Sequence, residues 1–300
     1  MALPIEVSLE FFPPTDEAAA SQLWTAVQRL SPLAPRFVSV TYGADGSTRS
    51  RTHQCVLKIL RETSLYVAPH LTSVGATKAQ IRAIASDYWQ SGIRHIVALR
   101  GDESSEVARS GELPYASDLV SCLKDMADFE ISVAAYPEGH PDQPGVGADI
   151  ENLKRKIDAG ATRAITQFCF DSDTLVQYRD RCVAAGIRVP IVAGILPITR
   201  MSQLLRFAAR CGAAVPNWLR RQFEGLDNDP QTHSLVAADV AIEQLERLRQ
   251  QGMEAFHFYT LNRADLTYKI CHAIGIRSSA AASEFYRQGL PWQKPCTVPA

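Results

Sequence analysis

The chain has 300 residues, and its 31 Lys and Arg against 32 Asp and Glu leave a formal charge of −1, which gives no general field for gripping nucleic acid or an anionic membrane. Its start, MALPIEVSLEFF, has neither the basic segment nor the long apolar run of a secretory signal. Seven scattered Cys without a CxxC spacing, and seven His without an HExxH pair, suggest neither a disulfide framework nor a zinc site. The expectation is a soluble, cytoplasmic protein that acts on small molecules.

In chain order, short β-branched runs fall at 5–11, 36–41, 65–69, 94–99, 130–135, 162–168, 189–193 and 255–258. Most begin about 30 residues apart, the length of one strand–helix unit. Helical patterns fill the gaps, as in 18–30 and in 78–90 with apolar Ile81, Ile84, Ala85 and Tyr88. Gly92, Gly160, Gly186 and Gly252 stand where such helices should end. Eight units favour a single (β/α)8 TIM barrel over 1–276, with a doubly wound sheet as the competing α/β arrangement. The long seventh gap predicts an extra helical excursion around 216–229. Residues 277–300 read as a short C-terminal tail.

In a barrel, chemistry lies past the C-terminal ends of the strands. Seven of the eight predicted ends carry a hydrogen-bonding or ionisable side chain, whereas strand interiors read as apolar: Glu10, Thr41, His70, Arg100 with Asp102, Tyr136 with Glu138, Gln167 and Tyr259. Glu10 is also compatible with a solvated strand end, His70 with a satisfied structural histidine, and Arg100-Gly101-Asp102 with a structural ion pair. No Lys falls at a strand end, which removes the nucleophile of Schiff-base chemistry. No GxxxxGK[ST] loop or GxSxG elbow occurs, and the Gly145-Val146-Gly147 stretch lacks the third glycine of a dinucleotide fingerprint. After the fifth strand, Asp149, Asn152 and Lys156 share a helix face beside Arg155. That face is either a solvated basic surface or a seat for a pyrophosphate. Gln203 and Phe207 share a face, at i and i+4, after strand seven.

The strings VSLEFFPP, RFVSVTYGA followed by RTH, APHLT, YWQSGIRHIVALRGD, YASDLV, ISVAAYPEGHP, ENLKRKIDAGATRAITQFCFD, GILPIT and FHFYTLNRA run in order from about Ile5 to Ile276. Together they resemble bacterial methylenetetrahydrofolate reductase. The resemblance implies a barrel flavoprotein that reduces 5,10-methylenetetrahydrofolate to 5-methyltetrahydrofolate with NADH, by ping-pong transfer through FAD, for methionine synthesis. It implies Glu10 as the general acid that opens the folate ring to a 5-iminium cation, with a pKa raised by burial beside Phe11 and Phe12. It implies Asp102 as the carboxylate beside flavin and pterin. FAD contacts carry over to Thr41, His70, Leu99, Arg100, Gly101, Asp102, Tyr115, Ala116, Tyr136, His140, Asp149, Asn152, Arg155 and Lys156. Substrate contacts carry over to Gln167, Gln203, Phe207, Tyr259 and Arg263, with Arg263 facing the glutamate carboxylates. A homo-oligomer is expected on the same ground. The 103–113 segment departs from the family strings, and the tail is too short for the regulatory domain of the animal enzymes.

Overall fold

The computed structural model describes residues 5–42, 49–101, 112–141 and 145–277; Asp102, residues 103–111 and the tail from 278 onward lie outside them. Eight strands form one closed, all-parallel barrel in sequence order: β1 (Glu6–Phe11), β2 (Val38–Val40), β3 (Val67–Thr72), β4 (His95–Leu99), β5 (Glu130–Ala135), β6 (Arg163–Thr166), β7 (Ile191–Ile195) and β8 (Ala255–Tyr259). The ring closes where β1 pairs with β8, Glu10 opposite Tyr259. The helices are α1 (Glu17–Leu30), α2 (Arg49–Glu62), α3 (Lys78–Gln90), α4 (Ala116–Lys124), α5 (Val146–Asp158), α6 (Ser172–Ala184), α7 (Met201–Cys211), α8 (Asn217–Gln222), α9 (Pro230–Gln250) and α10 (Ala264–Ala273). Helix α8 occupies the span of the expected excursion, and α9 returns the chain to β8.

Local chemistry explains the helix limits. Asp16 caps α1 by accepting from the Ala19 amide, and Thr77 and Gln80 form a reciprocal capping box on α3. Gly92, Gly160, Gly186 and Gly252 all take positive φ at the helix ends where they were expected. On α1 the buried residues Leu23, Ala26, Val27 and Leu30 follow helical spacing. They join one apolar cluster with Val7, Leu9 and Phe11 of β1, each fully buried aliphatic side chain stabilising the fold by roughly 1.5–3 kcal/mol.

The alternating residues of β1 face the other way, and here the expectation of apolar strand interiors fails. Glu6 reaches Arg163 of β6, and Glu10 reaches His70 of β3; neither strand is a neighbour of β1, so both contacts cross the barrel interior. Ser8, Ser39, Ser132 and His257 are buried too. The interior therefore holds polar groups at both ends around a small apolar layer of Phe37, Ala68, Val97, Ile165 and Val192, and the larger apolar clusters lie between the strands and their helices. EVSLEF is a period-2 strand whose polar half points inward.

Candidate active site

At the C-terminal end of β1 the backbone is pinned before the side chain is placed. The Glu10 carbonyl accepts from the Thr260 hydroxyl at 2.6 Å. Asn262 then exchanges two hydrogen bonds with the Phe12 backbone, at 2.9 and 3.0 Å. Leu261 and Asn262 both sit at positive φ, 51° and 56°, a sparsely populated conformation for non-glycine residues that recurs at functional sites. Gly194 lets Tyr259 cross beneath: a Cβ there would stand 2.2 Å from the Thr166 carbonyl and 2.8 Å from the Tyr259 ring.

The Glu10 carboxylate thus held is nearly buried and faces two imidazoles. His70 Nε2 lies 3.3 Å and His257 Nε2 3.6 Å from Glu10 Oε2. Neither Nε2 makes a hydrogen bond of full geometry. On its far side, His257 Nδ1 meets the Ser8 hydroxyl at 2.7 Å, and that hydroxyl has a second acceptor, the Phe256 carbonyl, at 3.4 Å. Burial pushes the Glu10 carboxyl up, as expected from the sequence, but hydrogen bonds and charge from His257 and His70 outweigh it and hold the pKa at about 2. The expected raised value is therefore corrected: without a bound molecule Glu10 is a carboxylate. The apolar neighbours Phe11 and Phe12 are inputs to burial only, and Phe12 is itself exposed. His257 is displaced downward, by burial first.

The other expected residues ring the same end. Thr41 donates its amide to the Phe11 carbonyl. Leu99 and Arg100 are half-buried at the end of β4, and Gly101 turns the chain against Thr72 and Val74 at φ 91°. Tyr115 is exposed immediately before Ala116 opens α4. The rings of Tyr136 and His140 meet edge to face at 4.7 Å, and buried Asp149 accepts the His140 amide at 2.6 Å. Arg155 donates to Asn152 at 2.9 Å. Lys156 is no solvated cation: its Nζ donates to the Ala134 carbonyl of β5 at 2.6 Å, and burial, partly offset by Asp149, lowers its pKa to about 8. A lysine thus does reach a strand end, delivered by a helix rather than by the strand itself.

Past β6 and on α7, Gln167 turns its oxygen to the Phe168 amide at 3.0 Å, and Gln203 accepts from Thr199 at 3.4 Å. Phe207 is half-buried on α7 against the main core. The Tyr259 hydroxyl is committed to the Thr166 carbonyl at 2.7 Å, leaving its ring, not its hydroxyl, for a ligand. Arg263 stands at the N-terminus of α10 and lines a cleft of about 800 Å³ with Gln22, Thr199 and Ser234. Asp102 lies outside the described residues. His257 and Ser8 were missed because their strands read as apolar runs; an in–out alternation applied to FHFY and EVSLEF would have put both inside.

A closed parallel barrel with an ionised carboxylate, two imidazoles and a ring of donors at its C-terminal end defines a (β/α)8-barrel enzyme. The family model described as methylenetetrahydrofolate reductase matches residues 3–275. The chain is 53% identical to 5,10-methylenetetrahydrofolate reductase of Pectobacterium carotovorum subsp. carotovorum over 277 residues, 92% of each chain. It is 52% identical to the enzyme of the same description from Escherichia coli (strain K12), covering 91% of this chain and 92% of that one. The chain belongs to the methylenetetrahydrofolate reductase family, oxidoreductases acting on a CH–NH bond. Among solved structures, a Clostridium thermocellum protein described as binding two copies of 5-methyl-5,6,7,8-tetrahydrofolic acid superposes with a TM-score of 0.59 at 14% identity, over 96% of this chain and 97% of that one; this likeness concerns the fold.

Proposed function

We propose that the protein reduces 5,10-methylenetetrahydrofolate to 5-methyltetrahydrofolate with NADH as donor, in ping-pong fashion with FAD as resident cofactor, and so supplies methyl groups for methionine synthesis. The observation that carries this reading is the Glu10–His70–His257 cluster at the end of the barrel where barrel enzymes work. The donor set also fits a flavin dinucleotide: His70 Nε2 is buried without a full hydrogen bond, the Lys156 ammonium has donors left after Ala134, and Tyr115, Tyr136 and His140 offer ring surfaces. When bound, FAD supplies the hydride carrier between the two substrates. The naming of an Arabidopsis thaliana relative, 30% identical over 97% of this chain and 51% of its own length, as methylenetetrahydrofolate reductase (NADH) 1 supports NADH as the donor.

The chain's own residues manage the proton. With the Ser8 hydroxyl turned to His257 Nδ1, the Nε2 carries hydrogen and faces an ionised Glu10. With the hydroxyl turned to the Phe256 carbonyl, Nδ1 donates to Ser8, and the bare Nε2 suits a protonated Glu10. A pterin ring covering Glu10 removes more water and disfavours the carboxylate, so that the cluster takes up one proton from solvent as the ring binds and moves toward the second arrangement, readying Glu10 to protonate a folate nitrogen. Gln167 and Gln203 hold the pterin, Phe207 stacks on folate or nicotinamide in turn, and Arg263 meets the glutamate carboxylates. Asp102 disfavours negative charge on the flavin. Cytoplasmic location, in keeping with the scattered cysteines, and homo-oligomeric assembly, from the family resemblance, complete the reading.

The test is anaerobic stopped-flow mixing. NADH should bleach the flavin absorbance of the purified protein, and methylenetetrahydrofolate should restore it. A protein that binds no flavin yet reduces the folate sinks the cofactor assignment; a reduced flavin that folate leaves bleached sinks the substrate.

A further inference from the structure

The turn after β5 holds two sets of contacts. Its Gly139 amide donates to the Tyr136 carbonyl at 3.1 Å, and the His140 amide is taken by Asp149. On this fixed turn Tyr136 and His140 pair their rings. Glu138 reaches elsewhere: its two carboxylate oxygens lie 3.3 and 3.2 Å from the Ala214 amide, in the linker between α7 and α8. Three residues along the turn, Pro141 packs on Gly212, which ends α7 at φ 69°. A Cβ at Gly212 would stand 2.7 Å from Pro141 Cγ. One polar and one apolar contact therefore join the turn to the C-terminal end of α7. Among the described residues Glu138 pairs with no Lys or Arg, and its other polar neighbours are the Cys169 thiol and, through charge, the Asp171 carboxylate. A carboxylate that holds an amide without a cation acts through geometry rather than charge balance.

We propose that Glu138 is a positioning residue, clasping the turn that carries Tyr136 and His140 to the helix that carries Gln203 and Phe207. It sets the distance between cofactor and substrate sides of the barrel mouth. The inference rests on the proposed reductase reading, since it gives those four side chains their ligands. Because α7 would serve both half-reactions, loosening its end should weaken both substrates alike, as loss of uniform binding does.

The test uses the full-length, FAD-loaded protein and three variants. E138A removes the acceptor, E138Q keeps an oxygen for Ala214, and G212A strains the same helix end through Pro141. E138A and G212A should raise KM for NADH and for methylenetetrahydrofolate together, by about tenfold, the scale of one lost hydrogen bond to a charged group, with kcat within about twofold. E138A should speed amide hydrogen exchange across 212–215, whereas E138Q should match the unsubstituted protein in both measurements. E138Q as impaired as E138A, unchanged KM values in E138A or G212A, or unchanged exchange would each overturn the clasp. If E138A fails to fold, E138Q and G212A still decide it. Absent folate reduction by the unsubstituted protein would sink the reductase reading, while exchange at 212–215 would still test the clasp.

Discussion

The two ends of the barrel interior each hold a cluster of charge, and they are built from different chemistry. At the N-terminal end Arg163, buried, pairs with Glu130 and lies 3.6 Å from Glu6, which Arg36 also approaches at 3.9 Å. At the C-terminal end the ion-pair partners of Glu10 among the described residues are two imidazoles. A guanidinium stays protonated at any working pH, so the lower cluster has fixed charge and serves to plug the barrel. An imidazole can pass a proton to or from a neighbouring carboxylate, so the upper cluster has charge that can move. Phe37 separates them: its ring stacks on His257 at 5.8 Å, meets His95 at 4.4 Å and lies under the Arg163 guanidinium at 5.3 Å. Fixed charge thus belongs to the plugged end, and the exchangeable proton to the end where barrel enzymes carry their chemistry.

The comparison breaks most visibly at Glu10. Glu10→Gln keeps the shape and loses the transferable proton, so folate reduction should fall about a thousandfold, within the range for general acid catalysis. NADH oxidation with an artificial acceptor should persist; its loss as well would make Glu10 a structural or flavin-positioning group. The substitution also has a stability signature. With a folded pKa of about 2 against 4.5 unfolded, the Glu10 carboxylate contributes stability above about pH 4.5 that disappears as pH falls toward 2. Acid unfolding of the Gln variant should be less steep in that window.

Arg163→Met tests the other end. Removing the cation leaves Glu130 and Glu6 facing one another's field at a partly buried site, so urea unfolding should show a loss of about 3 kcal/mol. The folded fraction should keep both Michaelis constants. A variant that stays stable but loses folate reduction would mean that the lower cluster is wired to the chemistry, and the division between the ends would fail.

Most of the architecture was readable in the sequence because it rests on local signals. Strand spacing, helical periodicity and terminal glycines are short-range, and they located all eight strands and the excursion before β8. The strand-end rule pointed to Glu10 and His70, which the structure brings together, for the same reason. What stayed hidden depends on crossing the barrel. Ser8 and His257 are 249 residues apart; alternation within EVSLEF and AFHFY can turn each side chain inward, but it does not say which group across the barrel it meets. Lys156 looked solvated because a helix face says nothing of the carbonyl its ammonium will reach, and the Glu10 pKa was misjudged because burial was visible in its apolar neighbours while the imidazoles were not.

The subtlest difference between the two ends concerns His95, which sits between them. Its Nε2 meets the Ser132 hydroxyl at 2.8 Å. Burial first, then the nearby Arg163 and Arg36 cations, holds its pKa well below the ordinary value of 6.5. Native His95 is therefore neutral where the unfolded chain carries a proton, and the unfolded state binds more protons as pH falls. Stability should decline below about pH 6.5, His95 alone accounting for about 2 kcal/mol between pH 7 and 5. Gln at this position can still meet Ser132 and does not titrate. Urea unfolding of the protein and of His95→Gln at the two pH values should give a smaller pH-dependent loss in the variant. Equal losses would mean that His95 accepts a proton in the folded state, and that Arg163 does not impose its fixed charge on the interior above it.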